Sequence, residues 1–294
     1  MAELFVGMTT WDDAFFLPVT LQSLKNCFDG VVDYTVCIVD NESRDDSCRI
    51  AKEFGCRVIV KNSSQSDALN MLLDLSTGDY TLLLHSDVAL LSKDLWGLLS
   101  RSSDERNILI SPEDIGMGEL WRRDYGVGMP ESSFMFWKTK QVRKLRSFRS
   151  FKKWSWYSFF RHPLTYIPTR RFDFYGPHLT HRIPALLERN GMCWTMMDVH
   201  ASPKVEVPWY TNHDADALWD DAWARLEYGF GNFYSLNGAL SHYHNWLTRY
   251  LSPANANLRL NREGVPVAFI KEYTERFINH YRDNKLRCPD VRMQ

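Results

Sequence analysis

The chain has 294 residues, enough for one large domain or two small ones, and its 45% hydrophobic and 24% charged residues are the balance of a globular protein. No apolar run approaches the roughly 18 residues of a membrane span, and the first residues lack the basic and apolar regions of a signal peptide. The 6 cysteines form no C-x-x-C pair, which argues against a zinc site or disulfide framework and favours free thiols. We therefore expect a cytoplasmic protein.

The first third of the sequence alternates strand and helix patterns. Apolar, β-rich runs predict five strands, at residues 4–8, 34–39, 57–61, 80–84 and 107–111. Apolar residues at helical spacing, preceded by cap or first-turn residues, predict helices that start near Pro18, Ser43, Ser66 and Ser92. This order predicts a mainly parallel sheet with helices on both faces.

Polar side chains follow the first, second and fourth predicted strands, at the edge where parallel sheets bind ligands. They are Thr9, Thr10, Trp11, Asp12, Asp40, Asn41, His85 and Asp87. The first turn has one glycine instead of the G-x-G-x-x-G of a dinucleotide site, and the chain has no G-x-x-x-x-G-K-[ST] motif. Hydride chemistry on a dinucleotide and a P-loop are therefore disfavoured.

Four sequence blocks together resemble the family 2 glycosyltransferases of the GT-A type. The blocks are VGMTTWDD at 6–13, CIVDNES at 37–43, SDALN at 66–70 with TGDY at 77–80, and LLLHSD at 82–87. They occur in the family's order and spacing. The resemblance covers about residues 3–100 and implies a GT-A type α/β fold: Rossmann-like, with a mainly parallel central sheet, helices on both faces and an acceptor-side insert.

The resemblance also implies a set of residues that bind a nucleotide-sugar donor: Thr9, Trp11, Asp12, Asp40, Asn41, Asp67 and Asn70. Asp40 would face the base, and Asp67 and Asn70 would lie near the sugar or the ribose. Structural roles stay open for some of them, since Asp40 suits a turn or helix cap and Asn70 a buried position on a helix.

A divalent metal, Mn²⁺ or Mg²⁺, is implied as the ion that neutralises the leaving diphosphate, with Asp87 as its ligand. His85 stands where the family commonly has Asp; imidazole suits Mn²⁺ better than Mg²⁺, and both a ligand role and a structural role stay open for His85. Many GT-A enzymes complete the metal site with a histidine near the C-terminal end of the core. His242 and His244 both fit that place, His213 is a rival, and we select His242.

The second half of the chain carries the candidates for the catalytic base. The family has an acidic pair before its acceptor-side helix, whereas the equivalent residues 174–177 include no acid. Asp173 and His178 are the nearest groups that could accept a hydroxyl proton. A helix cap for Asp173 and a packed ring for His178 are equally good interpretations.

One segment is basic and aromatic, although the net charge of the chain is −1. Residues 132–172 contain eleven lysines and arginines and no acid, and residues 141–171 interleave these cations with Phe, Trp and Tyr. Such a segment suits an anionic membrane surface or a nucleic acid. A helical hairpin that covers the acceptor cleft with buried rings is the alternative.

We predict one GT-A catalytic domain at 1–252, with a nucleotide-sugar half at 1–110, an acceptor half at 111–252 that includes the insert 138–171, and a helical tail at 253–294. The predicted function is metal-dependent transfer of a sugar from a nucleotide diphosphate, with UDP as the expected nucleotide, to a hydroxyl of a glycan, a lipid-linked sugar or a nucleic acid. The alternatives are a DNA-modifying glycosyltransferase that acts on a hydroxylated base and a non-catalytic binding protein with a GT-A-like shell. The protein is expected in the cytoplasm or peripheral to a membrane.

Overall fold

The computed structural model describes residues 2–113, 130–144, 180, 183, 187–188, 190–201, 232–245 and 267–283. The strands in these ranges are β1 (Glu3–Thr10), β2 (Asp33–Asp40), β3 (Arg57–Val60), β4 (Tyr80–His85), β5 (Val88–Leu90), β6 (Asn107–Pro112), β7 (Phe134–Lys138), β8 (Cys193–Ala201), β9 (Asn232–Leu236) and β10 (Ala239–His244). The helices are α1 (Leu17–Phe28), α2 (Ser47–Glu53), α3 (Gln65–Leu75), α4 (Leu95–Ser102), α5 (Thr139–Lys144) and α6 (Val267–Arg282).

The described strands form one sheet in the order β3-β2-β1-β4-β7-β6-β8-β9-β10-β5. The first four strands of this order are parallel, as the alternating sequence pattern predicts. β7 runs antiparallel to both β4 and β6, β8 runs parallel to β6, and the remaining pairs are antiparallel. The expected α/β fold with a large central sheet is confirmed, and its parallel strands are concentrated in the N-terminal part.

Helices cover both faces of the sheet because the strands alternate apolar side chains between two cores. Along β1, Leu4, Val6 and Met8 enter one core, whereas Phe5 enters the other. The first core also contains residues of α1, α2 and α4, and the second contains residues of α3. Because alternate side chains of each strand must enter different cores, the strands pair in one register. This register determines which residues meet at the ends of the strands.

The helix α2 begins three residues later than the sequence predicts, with Asp46 instead of Ser43 at the N-cap position. Its first residue is Ser47, whereas the sequence pattern indicates Ser43 as the cap. Ser43 Oγ instead accepts a hydrogen bond from Asp12 N at 2.8 Å, and Arg44 N donates to Asp12 Oδ1 at 2.6 Å. These contacts with the loop after β1 hold the residues before Ser47 outside the helix.

The helix α3 begins slightly earlier than predicted. Its N-cap is Ser64, which has an extended backbone and accepts a hydrogen bond from Asp67 N at 3.2 Å. The sequence pattern indicates Ser66 as the cap, but that residue lies within the first turn of the helix. A serine at either position fits the pattern, and the turn that leads from β3 decides between them.

The last described helix, α6, confirms the helical spacing of aromatic residues near the end of the chain. Its Phe277 is buried, and the ring stacks on Tyr243 of β10 at 4.0 Å and on Phe16 at 5.8 Å between centroids. This helix therefore packs against β10 and against the residue that precedes α1. None of the helices in the described ranges is long and apolar enough to cross a membrane.

Candidate donor and metal site

The ends of β1, β2 and β4 lie side by side at one edge of the sheet, since these strands are parallel and paired in register. Thr10 of β1 is opposite Asp40 of β2, and Thr9 is opposite His85 of β4. Asn41 N donates a hydrogen bond to Thr10 O at 2.9 Å, which continues the pairing past the end of β2. The polar residues that follow these strands in the sequence are therefore neighbours in space.

The turn between β4 and β5 is held from two sides. Thr20 of α1 donates its hydroxyl hydrogen to Ser86 O at 2.6 Å, and Asn245 N donates to Asp87 O at 2.9 Å. β5 then pairs antiparallel with β10, so the end of β10 that carries His244 lies beside this turn. Two segments that are distant in the sequence thereby meet, and His244 lies next to Asp87.

His85, Asp87 and His244 form a group that could hold a metal ion. Each offers one ligand atom, and these atoms all lie within 4.8 Å of one another. His244 Nε2 is 3.3 Å from Asp87 Oδ1, and the rings of His85 and His244 meet edge to face with centroids 5.8 Å apart. Two imidazoles and one carboxylate are a donor set that suits Mn²⁺ and other first-row ions better than Mg²⁺.

A second carboxylate lies on the other side of His244. Glu131 Oε1 is 3.0 Å from His244 Nδ1, and Tyr234 of β9 donates its phenolic hydrogen to Glu131 Oε2 at 2.7 Å. His244 thus lies between Asp87 and Glu131, with one carboxylate near each ring nitrogen. Neither Glu131 nor Tyr234 is predicted from the sequence, because neither lies in a recognisable motif and both reach His244 only through the sheet pairing.

The charges in this group shift one another's protonation. Burial opposes the charged form of His244, but Asp87 and Glu131 outweigh it and raise its pKa to about 10. Burial likewise opposes ionisation of Glu131, but His244 and the hydroxyl of Tyr234 lower its pKa to about 2. Burial also opposes ionisation of Asp87, but the positive charge of His244 outweighs it, and the pKa of Asp87 lies below the ordinary value. Without a metal ion, His244 is therefore a cation between two anions, Asp87 and Glu131.

Asp13 is a further buried acid at this edge. It is 7% exposed, and its pKa is raised well above the ordinary value by burial and then by the negative charge of Asp87. Its backbone N donates to Ser47 Oγ at 2.9 Å. The sequence analysis selects the adjacent Asp12 as a donor-binding residue instead. Both residues lie in the loop after β1, and only the path of the backbone shows which of them is buried beside Asp87.

The structure places His242 outside the group. Its ring is fully buried between Phe134 and Tyr234, with centroid distances of 4.2 Å and 4.5 Å and nearly parallel planes. Burial lowers its pKa to about 3, so the ring is neutral. His242 therefore has the position of a packed core residue, and His244, two residues farther along the strand, has the position beside Asp87 that was expected for His242.

His85 contacts two polar side chains besides the group. Its Nε2 lies 2.8 Å from Gln65 Nε2 and 3.4 Å from Ser132 Oγ. Its backbone N donates to Ser133 O at 2.9 Å, which ties the end of β4 to the residues before β7. The ring is thus oriented by side chains from two other segments.

Asp40 and Asn41 organise the loops around the donor side of the edge. Asp40 is fully buried, and its Oδ1 accepts a hydrogen bond from Ser43 N at 2.9 Å. Asn41 Oδ1 accepts from Ser63 N at 2.8 Å and so links the ends of β2 and β3. The turn role considered for Asp40 is therefore present in the structure.

The other donor-side residues differ in accessibility. Trp11 is 41% exposed, Thr9 is partly buried, and Asp12 is buried with a left-handed backbone, φ 49°. Asp12 holds the loop before α2 through its hydrogen bonds with Ser43 and Arg44. Trp11 has a large apolar surface exposed to solvent at the edge where the sequence predicts a nucleotide.

Asp67 and Asn70 line a cavity of about 500 Å³ between α3 and the segment after β3. The other lining residues are Lys61, Asn62, Ser63, Met71 and Asp74. The Asp67 carboxylate also accepts a hydrogen bond from Ser64 Oγ at 2.7 Å. Six of the seven lining residues are polar, and the cavity is next to Asn41, which contacts Ser63.

The two candidates for the catalytic base, Asp173 and His178, lie outside the described residues, as do residues 145–171 of the basic aromatic segment. Their roles stay predictions. The same holds for the division of the chain into a donor half, an acceptor half and a tail.

The sequence matches the family described as Glycosyl transferase family 2 over residues 6–164, which is more than half of the chain. The chain belongs to this family. No curated protein matches it.

Several solved structures are similar to this chain. Glucosyl-3-phosphoglycerate synthase from Mycobacterium tuberculosis, in a complex with Mn²⁺, uridine diphosphate and phosphoglyceric acid, is 17% identical with a TM-score of 0.41, and the match covers 47% of this chain and 56% of that one. S. aureus TarS is 16% identical with a TM-score of 0.38, and the match covers 48% of each chain. The matches thus span only about half of those proteins and establish no shared substrate or reaction.

The residues of the group fit the divalent metal that the family implies. His85, Asp87 and His244 bring three donor atoms together from two strand ends. The Asp87 carboxylate lies at the ligand-binding edge of the sheet, with Oδ1 3.3 Å from a ring nitrogen of His244. A cation there would replace the proton on His244 as the positive charge between these groups.

Proposed function

We propose that the protein is a metal-dependent glycosyltransferase that moves a sugar from a nucleotide diphosphate, with UDP as the nucleotide, to a hydroxyl acceptor. The observation that supports this most strongly is the group of His85, Asp87 and His244 at the ends of β4 and β10, in a chain of glycosyl transferase family 2. The group lies beside the loops after β1 and β2, where the donor would bind.

In this proposal His85, Asp87 and His244 hold the metal, preferably Mn²⁺, which supplies positive charge to the leaving diphosphate. The protein supplies the remaining contacts. Asp40 and Asn41 shape the pocket for the nucleoside, and Trp11 offers an exposed aromatic face to it.

The remaining donor contacts are proposed for Thr9, Asp12, Asp67 and Asn70. Asp67 and Asn70 already line a cavity next to the loop after β3. Asp12 would act indirectly, since its carboxylate holds Arg44 N and so fixes the loop after β2.

The acceptor side of the proposal rests on the sequence alone. Asp173 or His178 would accept the proton of the attacking hydroxyl. The basic aromatic segment 141–171 would contact an anionic acceptor, carried on a lipid or a nucleic acid. We also propose a reducing compartment such as the cytoplasm, consistent with free thiols at the five described cysteines.

A thermal-shift matrix tests the donor proposal. Wild-type protein and Asp87→Ala would be heated with UDP, GDP, CMP or TDP, each with Mn²⁺, Mg²⁺ or EDTA. We expect one nucleotide to raise the melting temperature of the wild type only with metal, because a ligand that binds the folded state alone stabilises it. Asp87→Ala should keep its own melting transition and lose this metal-dependent increase. An identical increase in Asp87→Ala would exclude Asp87 as a ligand.

A further inference from the structure

Glu131 has a rigidly anchored backbone. Its N donates to Pro112 O at 2.8 Å, and its carbonyl accepts a hydrogen bond from Ser111 Oγ at 3.0 Å, so the residue is attached to the end of β6. The preceding residue, Pro130, forms an isolated bridge with Glu113. Glu131 is therefore fixed in place by contacts that do not involve His244.

Both carboxylate oxygens of Glu131 are engaged in the interior. Oε1 faces His244 Nδ1 at 3.0 Å, and Oε2 accepts from the Tyr234 hydroxyl at 2.7 Å. Tyr234 is itself fully buried, and its ring stacks on His242. The carboxylate cannot rotate away from His244 without losing the hydrogen bond from Tyr234.

We propose that Glu131 is a positioning residue for His244: its carboxylate accepts the Nδ1 hydrogen and thereby holds Nε2 toward Asp87, where the metal would bind. The inference rests on the proposed function, since it assigns a role toward the same metal. Histidines that bind metals commonly donate their other ring hydrogen to a carboxylate, which fixes the tautomer and the ring orientation. Tyr234 fixes the orientation of Glu131 in turn.

The test compares Glu131→Gln with Glu131→Ala. Both variants remove the negative charge, but only glutamine keeps an oxygen that can accept the Nδ1 hydrogen, so their difference isolates positioning from charge. The dissociation constant of Mn²⁺ would be measured by calorimetry for each variant below its melting temperature. We expect Glu131→Ala to bind Mn²⁺ about 10- to 100-fold more weakly than Glu131→Gln, the usual effect of losing such a partner.

A second measurement needs no metal. The imidazole hydrogens of His244 would be followed by ¹⁵N-edited NMR in the metal-free protein. We expect a slowly exchanging Nδ1 hydrogen in the wild type and in Glu131→Gln, and its loss in Glu131→Ala. Should Glu131→Ala fail to fold, Tyr234→Phe removes only the hydrogen bond to Oε2 and keeps the ring stack, and we expect it to weaken Mn²⁺ binding several-fold.

The outcomes separate the two proposals. Equal Mn²⁺ affinities and equal Nδ1 signals in the glutamine and alanine variants would overturn the role of Glu131, while Mn²⁺ binding that depends on Asp87 would leave the proposed function intact. If the wild type binds no Mn²⁺, both proposals fail. A role in folding alone would lower the melting temperature of Glu131→Ala without separating the two dissociation constants.

Discussion

The affinity of the protein for Mn²⁺ should depend steeply on pH, because the metal and a proton compete for His244. A metal ion binds the neutral imidazole, whereas the metal-free ring has a pKa of about 10 between its two carboxylates. At pH 7 the neutral fraction is then on the order of one in a thousand, which corresponds to about 4 kcal/mol of competition. Each increase of one pH unit should raise the affinity about tenfold until the pH approaches the pKa.

Calorimetric titration with Mn²⁺ between about pH 7 and 8.5 tests this prediction, since histidines of ordinary pKa are mostly neutral in that range. Titrations in two buffers with different ionisation enthalpies also count the protons released. We expect about one proton per bound Mn²⁺ at pH 7. An affinity that does not change with pH, together with no proton release, would refute the placement of the metal on His244.

Three substitutions, one of them with a matched control variant, test other parts of the structure. His242→Ala should lower stability by roughly 2–4 kcal/mol in chemical denaturation, because it empties a space between two stacked rings, and should leave Mn²⁺ affinity unchanged. Gly78→Ala should cost about 1–3 kcal/mol, because φ is +82° and a Cβ would lie 2.8 Å from Glu3 O. Gly30→Ala is its control, with φ +73° and no atom within 4 Å; a loss as large as that of Gly78→Ala would contradict the contact argument. Asp40→Asn should weaken UDP binding without lowering Mn²⁺ affinity, and unchanged nucleotide affinity would leave Asp40 with its turn role alone.

The sequence was most informative where local pattern and fold agree. The five predicted strands fall within two residues of their observed bounds, since each combines apolar, β-rich residues with polar residues at its end. The parallel pairing of the first four follows from the helices between them, and it places the ends of β1, β2 and β4 at one edge. The sequence pattern alone therefore indicates Asp40 and Asp87 as residues of that edge.

The choice between His242 and His244 could not be made from the sequence. Both occupy the same face of β10, two residues apart, so alternation does not distinguish them. The pairing of β10 with β5 places His244 opposite Val88, at the turn that carries Asp87. His242 lies two residues away, opposite Leu90, with its ring between Phe134 and Tyr234. This register depends on contacts between residues that are far apart in the chain.

Glu131 could not be predicted for a different reason. It precedes β7 in a short irregular segment, and no motif connects it with a histidine more than 100 residues later. Only the joint arrangement of β6, β9 and β10 brings its carboxylate to His244. Asp13 could not be predicted either, because its burial beside Asp87 follows from the path of the loop after β1.

The most direct test of the metal site is pulsed electron paramagnetic resonance on Mn²⁺ bound to protein with ¹⁵N-labelled histidine. The structure predicts hyperfine coupling to two imidazole nitrogens, from His85 and His244, and the loss of one coupling in His244→Ala but not in His242→Ala. Absence of any imidazole coupling in the wild type, or a loss confined to His242→Ala, would contradict the assignment of the metal to His85, Asp87 and His244.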